Sequence, residues 1–255
     1  MANFEYHQYS YMSDNYGVLL HSKKTGDTIG IDVGDASALL SALEQKGWQL
    51  THLLVTHHHA DHVAGLAEVK NKTGCKVTGP ANHSNIDGLD SKVADGDIFS
   101  ISSTEFHVLQ TPGHTLDMLN YYLPEEKVVF TGDTLFTLGC GRVFEGDPSM
   151  MWNSLQKLMQ LPHDTLVYSS HEYTLANAAF AVTVDPNNSV LEQRIKKFKT
   201  LRADNQPTVP SLLADELATN PFLRAADPDI RANLQMESAT DAEVFAEVRR
   251  RKDNF

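Results

Sequence analysis

The chain has 255 residues, 41% hydrophobic and 21% charged, with a net charge of -12 at pH 7. That is ordinary globular composition, long enough for one large domain or a domain with an appendage. The acidic balance argues against a nucleic-acid binder, which calls for a basic face. Cys75 and Cys140 are too few for a disulfide framework and fit a reducing compartment. The first twenty residues carry no secretory pattern, and no apolar run is long enough to span a bilayer. The expectation is a cytoplasmic protein away from membranes, and nothing demands more than a monomer.

Up to about residue 172, short β-like runs alternate with turn signals. Gly17 to Leu20, Ile29 to Ile31, Leu53 to Val55, Phe106 to Val108, Val128 to Phe130 and Leu166 to Tyr168 read as strands. Helical spacing is predicted over Ala36 to Gln45, ending near Gly47, and over Ser149 to Gln160, stopping at Pro162. Another helix is expected to open at Asp61 and run through Val63, Leu66 and Val69. After Tyr173 the pattern turns helical, with Leu191 to Arg202 and Asp241 to Arg250 as amphipathic candidates and no convincing strand. Proline punctuates the segments between at Pro207, Pro210, Pro221 and Pro228. The reading is α/β with a helical C-terminal region, divided as residues 1–172 and 173–255.

The densest chemical signal is Thr56-His57-His58-His59-Ala60-Asp61-His62, an H-x-H-x-D-H pattern directly after the strand His52 to Val55. At this chain's own His and Asp frequencies, chance produces it in on the order of one chain in a thousand. Side chains two apart on extended chain share a side, so His57 and His59 can reach one ion. His114 follows Phe106 to Gln110 through Thr-Pro-Gly, Asp133 follows Val128 to Phe130 through Thr-Gly, and His171 follows Leu166 to Tyr168 through Ser-Ser. Each lies just past an apolar strand, where a layered α/β fold gathers ligands in a crevice.

This set suits two ions: His57, His59 and His114 for one, Asp61, His62 and His171 for the other, and Asp133 between them. Two divalent ions, two carboxylates and one hydroxide leave the site net positive, which favours an anionic transition state. Asp61 and Asp133 are the candidate catalytic carboxylates. His7, His21, His52, His83, His107 and His163 are read as ordinary core or surface groups, and His58, on the other side of the alternation, as either backing the ligands or facing solvent. Several divalent metals fit such mixed N/O donors.

With these residues in view, the sequence resembles the metallo-β-lactamase superfamily, and within it the glyoxalase II family of hydroxyacylglutathione hydrolases. The likeness extends through Thr131 to Phe136, Gly139 to Arg142, His171 to Thr174, Thr208 to Ser211, Asn220 to Arg224 and Arg249 to Phe255. It implies a four-layer αββα sandwich with a C-terminal helical domain, and two divalent ions, zinc foremost with iron or manganese as alternatives. The implied reaction is hydrolysis of S-D-lactoylglutathione to glutathione and D-lactate by a metal-bound hydroxide. Carried over by position, Arg142, Tyr173, Arg249 and Lys252 contact the glutathione moiety, the last two at its glycine carboxylate. Phe144 stands where relatives often carry Tyr, and a hydrogen bond lost there weakens binding by about 0.5–1.5 kcal/mol.

Arginine's planar fork suits carboxylates, so Arg249 to Lys252 could anchor such a substrate. Taken alone, four basic residues on a helix are usually a solvated face. The competing enzymes share the ligand motif: a lactonase or β-lactamase on another acyl bond, and a one-iron persulfide dioxygenase. An RNA-processing relative would need a basic surface. A non-catalytic metal or glutathione sensor belongs to a different class, and the open coordination positions argue against it.

Overall fold

The computed structural model describes residues 4–82 and 85–255, so His83 lies outside the described residues. The chain divides into two compact units, one of residues 1–110 and 115–132, the other of 111–114 and 133–255. These units follow backbone compactness, whereas the expected division at 172/173 is one of roles.

The first unit opens with strands β1 (Phe4–Tyr11), β2 (Asn15–Ser22) and β3 (Thr28–Ile31), then helix α1 (Ala36–Lys46) and β4 (His52–Leu54). Helices α2 (Ala60–Val63) and α3 (Leu66–Thr73) follow, then β5 (Lys76–Pro80) and β6 (Ser91–Val93). Strands β1 to β6 form one sheet in sequence order, antiparallel across β1-β2-β3 and parallel from β3 onward. A second, antiparallel set contains β7 (Ile98–Ile101), β8 (Thr104–Gln110), β9 (Leu119–Leu123) and β10 (Val128–Gly132).

Helix α1 starts where the Asp35 carboxylate accepts from Ala38 N–H and stops at left-handed Gly47. Its stripe of Leu39, Ala42 and Leu43 packs with Leu66 and Val69 of α3 against Leu19, Leu53 and Val77 of the first sheet. The other sheet joins through Tyr121, whose hydroxyl donates to the Val55 carbonyl at 2.7 Å. The single helix expected from Asp61 onward is instead two short ones. Gly65 N–H bonds the Val33 carbonyl, and a Cβ there would meet Ala36 N at 2.6 Å, so the chain is diverted between them.

The second unit contains a short hairpin, β11 (Leu135–Phe136) with β12 (Gly139–Cys140), then α4 (Pro148–Met159) and β13 (Leu166–Ser169). Helices α5 (Thr174–Val184) and α6 (Ser189–Ala203) precede β14 (Ser211–Leu212), a two-residue strand the sequence did not announce. Helices α7 (Leu213–Thr219), α8 (Pro228–Leu234) and α9 (Asp241–Asp253) complete it. A reciprocal Thr240/Glu243 capping box starts α9. No helix among the described residues is long and apolar enough to cross a membrane.

One buried network fixes the hairpin. Glu216 is fully enclosed, pairs with Arg194 at 2.7 Å and accepts from Leu138 N–H and from Asn220 Nδ2. Asn220 Nδ2 also reaches the Phe136 and Gly139 carbonyls. Leu138 has φ 58, a left-handed conformation that costs a branched side chain energy and is held here by the Glu216 bond. Removing one member of a buried pair strands the other. Glu216→Ala is therefore expected to destabilise the chain by about 3–5 kcal/mol, read as a lowered midpoint in denaturant unfolding.

Candidate metal centre

The first unit gathers four of the expected ligands just past the end of β4. His57 Nε2 and His59 Nδ1 lie 3.2 Å apart, and the His57 and His62 ring centroids are 4.0 Å apart. His59 is the residue before α2, which places Asp61 and His62 in its first turn. Asn15 Nδ2 donates to Asp61 Oδ2 at 3.0 Å, and Tyr11 holds the Asp61 carbonyl. Gly34 leaves room for that carbonyl, which a Cβ would meet at 2.0 Å.

Hydrogen-bond logic decides which imidazole nitrogens are available. The buried Asp32 carboxylate accepts from Thr56 N–H at 2.7 Å and from the Thr56 hydroxyl at 2.8 Å. With its hydrogen spent there, the Thr56 oxygen can only accept from His57 Nδ1, 2.9 Å away. Asp32 Oδ2 also accepts from His62 Nδ1 at 2.9 Å. Both rings therefore carry hydrogen on Nδ1 and present a lone pair on Nε2, the tautomer a metal ligand requires. His62 Nε2 faces Asp61 Oδ2 at 3.4 Å.

The second unit repeats this logic. The Arg142 carbonyl can only accept, so His114 Nδ1 donates to it at 2.8 Å, and His114 Nε2 faces Asp133 Oδ2 at 3.3 Å. His171 Nε2 lies 3.3 Å from the other oxygen, Asp133 Oδ1. One carboxylate thus stands between two imidazoles. Gly141 passes against it so closely that a Cβ would lie 2.0 Å from the Asp133 carbonyl. Lone pairs and carboxylate oxygens at these distances repel unless a positive charge lies between them, so the donor set fits divalent cations.

The other sequence-expected residues in the second unit fall into two groups. Tyr173 stacks on His171 with centroids 4.6 Å apart and planes 3° from parallel, while Phe136 meets both rings edge-on. Phe144 is 60% exposed, with its ring 5.2 Å from that of His114, and Arg142 is exposed. On α9 the basic tetrad splits by helical phase. Arg250 and Arg251 both pair with Glu247, holding its pKa down at about 2. Lys252 donates to the Ala176 carbonyl over the Phe180 and Phe255 rings. Burial lowers its pKa, and the charges of Arg249 and Arg142 push it the same way.

Arg249 is only 5% exposed and already engaged. Its Nε and one terminal nitrogen meet Asp253, the other meets the Cys140 carbonyl, and the guanidinium covers Phe222. Burial raises the Cys140 thiol to about 11 even with Arg249 beside it. A neutral, enclosed sulfur is a poor nucleophile, which removes Cys140 as an acyl acceptor.

Asp32, Thr56 and Asn15 were not singled out from sequence. Asp32 had a signal: it directly follows the apolar run Ile29 to Ile31, the same strand-end position that marked the expected ligands. Its φ of 55 is left-handed, a conformation rare outside glycine. Thr56 and Asn15 carry no such mark.

The chain resembles known proteins along its whole length. A family model described as the metallo-beta-lactamase superfamily matches residues 26–171, and one described as the hydroxyacylglutathione hydrolase C-terminus matches residues 172–255. The chain is 52% identical over 256 residues to the hydroxyacylglutathione hydrolase of Rhizobium meliloti, covering 100% of both. It is 51% identical over 252 residues to that of Brucella ovis, covering 98% of both. Among solved structures, ETHE1 from Myxococcus xanthus has a TM-score of 0.69 at 25% identity, over 96% of this chain and 90% of that one. The BLEG-1 B3 metallo-beta-lactamase has a TM-score of 0.66 at 21% identity, over 86% and 99%, a likeness of fold.

Asp32→Asn tests the tautomer logic. The amide cannot accept from Thr56 N–H, Thr56 Oγ1–H and His62 Nδ1–H all at once, so one ring is released from its fixed tautomer. Metal affinity is expected to fall about 10- to 100-fold, measured by zinc competition with a chromophoric chelator.

Proposed function

The chain belongs to the hydroxyacylglutathione hydrolases of the metallo-beta-lactamase superfamily, and we propose that it hydrolyses the thioester of S-D-lactoylglutathione and related S-2-hydroxyacylglutathiones. The products are glutathione and D-lactate, the second step of methylglyoxal detoxification. The observation that carries the metal-hydrolase part of this reading is the set of imidazoles whose Nδ1–H is already committed and whose Nε2 lone pairs face carboxylates.

In this reading His57, His59 and His114 would hold one divalent ion and Asp61, His62 and His171 a second, with Asp133 available to both. Zinc is the first choice, with iron or manganese as alternatives. Ions held there would supply Lewis-acid polarisation of the thioester carbonyl and would lower the pKa of bound water from about 15.7 to roughly 7. Asp133 presents one oxygen to each neighbouring imidazole and Asp61 is steadied by Asn15, so the two carboxylates orient the attacking water. The leaving thiolate has an ordinary pKa of about 8.5 and needs no strong acid, which suits a site with no obvious proton donor.

Residues 1–172 supply the metal ligands in this account and residues 173–255 hold the glutathione tail, with Arg142 and Phe144 on the catalytic side. Lys252 is the direct carboxylate anchor, Arg142 and Tyr173 flank the tail, and Phe144 offers only its apolar ring. Arg249, buried and already bonded to Asp253 and the Cys140 carbonyl, contributes chiefly its charge beside Lys252. We place the enzyme in the cytoplasm as a monomer acting on a small thioester, with no part for nucleic acid or membrane.

Loss of S-D-lactoylglutathione measured alongside metal content tests this. Asp133→Ala is expected to abolish nearly all turnover, and Lys252→Ala to raise KM with kcat little changed. A lysine with lowered pKa loses its charge earlier as pH rises, so KM should climb at a lower pH than an ordinary lysine would give. Full activity in a metal-stripped sample would remove the mechanism. Equal activity on thioesters lacking glutathione would remove the substrate.

A further inference from the structure

Asp117 does not belong to the ligand set, yet it is fully buried. Its Oδ1 accepts from His58 Nδ1 at 3.0 Å, and its Oδ2 has no hydrogen-bond partner among the described residues. A carboxylate enclosed away from water is costly unless something compensates it. Against this carboxylate stands the ring between the two expected ligands His57 and His59. His58 is a third exposed at its side chain, and its ring meets that of His59 edge-on with centroids 5.1 Å apart.

The geometry around this pair is that of a tether. On extended chain His57 and His59 project to one side and His58 to the other. Asp117 grips the loop from that opposite side, two residues before the buried strand β9. A second bond runs alongside, from Leu119 N–H of β9 to the Thr56 carbonyl at 2.8 Å. Two hydrogen bonds thus lash residues 56–58 to the start of one rigid strand. The backbone bond fixes where the loop begins, and the side-chain bond fixes its rotation, hence the spacing of the His57 and His59 nitrogens.

We infer that Asp117 is a positioning residue that acts through His58 to preset the His57/His59 pair for its metal ion. The inference rests on the assignment of that pair as ligands. It is a claim about pre-organisation: a loop already held in binding geometry loses less conformational freedom when the ion arrives.

Zinc(II) titration of the metal-stripped full chain against a chromophoric chelator tests it. Asp117→Asn keeps an oxygen that can accept from His58 Nδ1–H, and its zinc affinity is expected to stay within a few-fold of the parent protein. Asp117→Ala removes the acceptor and is expected to weaken zinc about 10-fold or more, within the range seen for outer-shell partners. The double variant His58→Phe with Asp117→Leu replaces both partners by apolar groups, a change that can leave stability nearly untouched. It should melt near the parent temperature in its metal-free form and still bind zinc as weakly as Asp117→Ala. Parent-like zinc affinity in Asp117→Ala or in the double variant overturns the inference. So does an Asp117→Asn protein as weak as Asp117→Ala, since charge rather than the hydrogen bond would then be at work. A parent protein that binds no zinc would instead overturn the metal assignment itself.

Discussion

The tautomeric state of a few imidazoles is the constraint on which the rest of this molecule depends. Asp32 sets it in the first unit. Its carboxylate takes three hydrogens, from Thr56 N–H, the Thr56 hydroxyl and His62 Nδ1. Two rings are thereby locked with their other nitrogen presented, one directly and one through Thr56. Neutral histidine has no strong preference between its tautomers, so without such partners each ring would present the wrong nitrogen part of the time. Asp32 is held in a left-handed backbone conformation to do this, a local cost of the order of 1–3 kcal/mol offset by the bonds it makes.

The second unit solves the same problem with backbone. The Arg142 carbonyl locks His114, so the segment carrying Arg142 must itself be rigid. That rigidity comes from the C-terminal helices. Asn220 and Glu216 hold the β11–β12 hairpin from α7 and its C-cap, and Arg249 of α9 holds the Cys140 carbonyl two residues before Arg142. Residues far along the chain thus bear on ligand geometry through the hairpin. The charges of Arg249 and Arg142 lie close enough to Lys252 to add to the effect of burial in disfavouring its charged form.

Fold likeness by itself leaves the reaction open. Proteins titled ETHE1 and metallo-beta-lactamase have the same fold as this chain at 25% identity or less, and ligand sets of this type serve several acyl bonds. The discrimination comes from outside the ligand motif, from the match of residues 172–255 to the hydroxyacylglutathione hydrolase C-terminus and from full-length identity near one half to proteins of that name. The physical counterpart is the inner face of α9. Arg250 and Arg251 are occupied by Glu247, as ordinary surface charges are, while Lys252 is half-buried over two aromatic rings.

The ligand motif, the strand-end placement of His114, Asp133 and His171, and the periodic helices α1, α4, α6 and α9 were all legible in sequence. Each is a local pattern: a ligand spacing, a turn after an apolar run, or a 3.6-residue stripe. Strand β1 escaped because its mixed polar and aromatic residues show no clean alternation, and β14 because two residues carry no period at all. Asp32, Asp117 and the Glu216 network escaped for a deeper reason. An aspartate or glutamate in sequence is most simply a surface charge, and only packing reveals that it is enclosed and which hydrogens it must accept. The sequence alone thus determined the candidate metal-binding set and the family, because donor types and their spacing are local. The tertiary structure alone decided which nitrogen His62 and His114 present and that Arg249 is enclosed against the Cys140 carbonyl, because these depend on hydrogen-bond partners dozens of residues away.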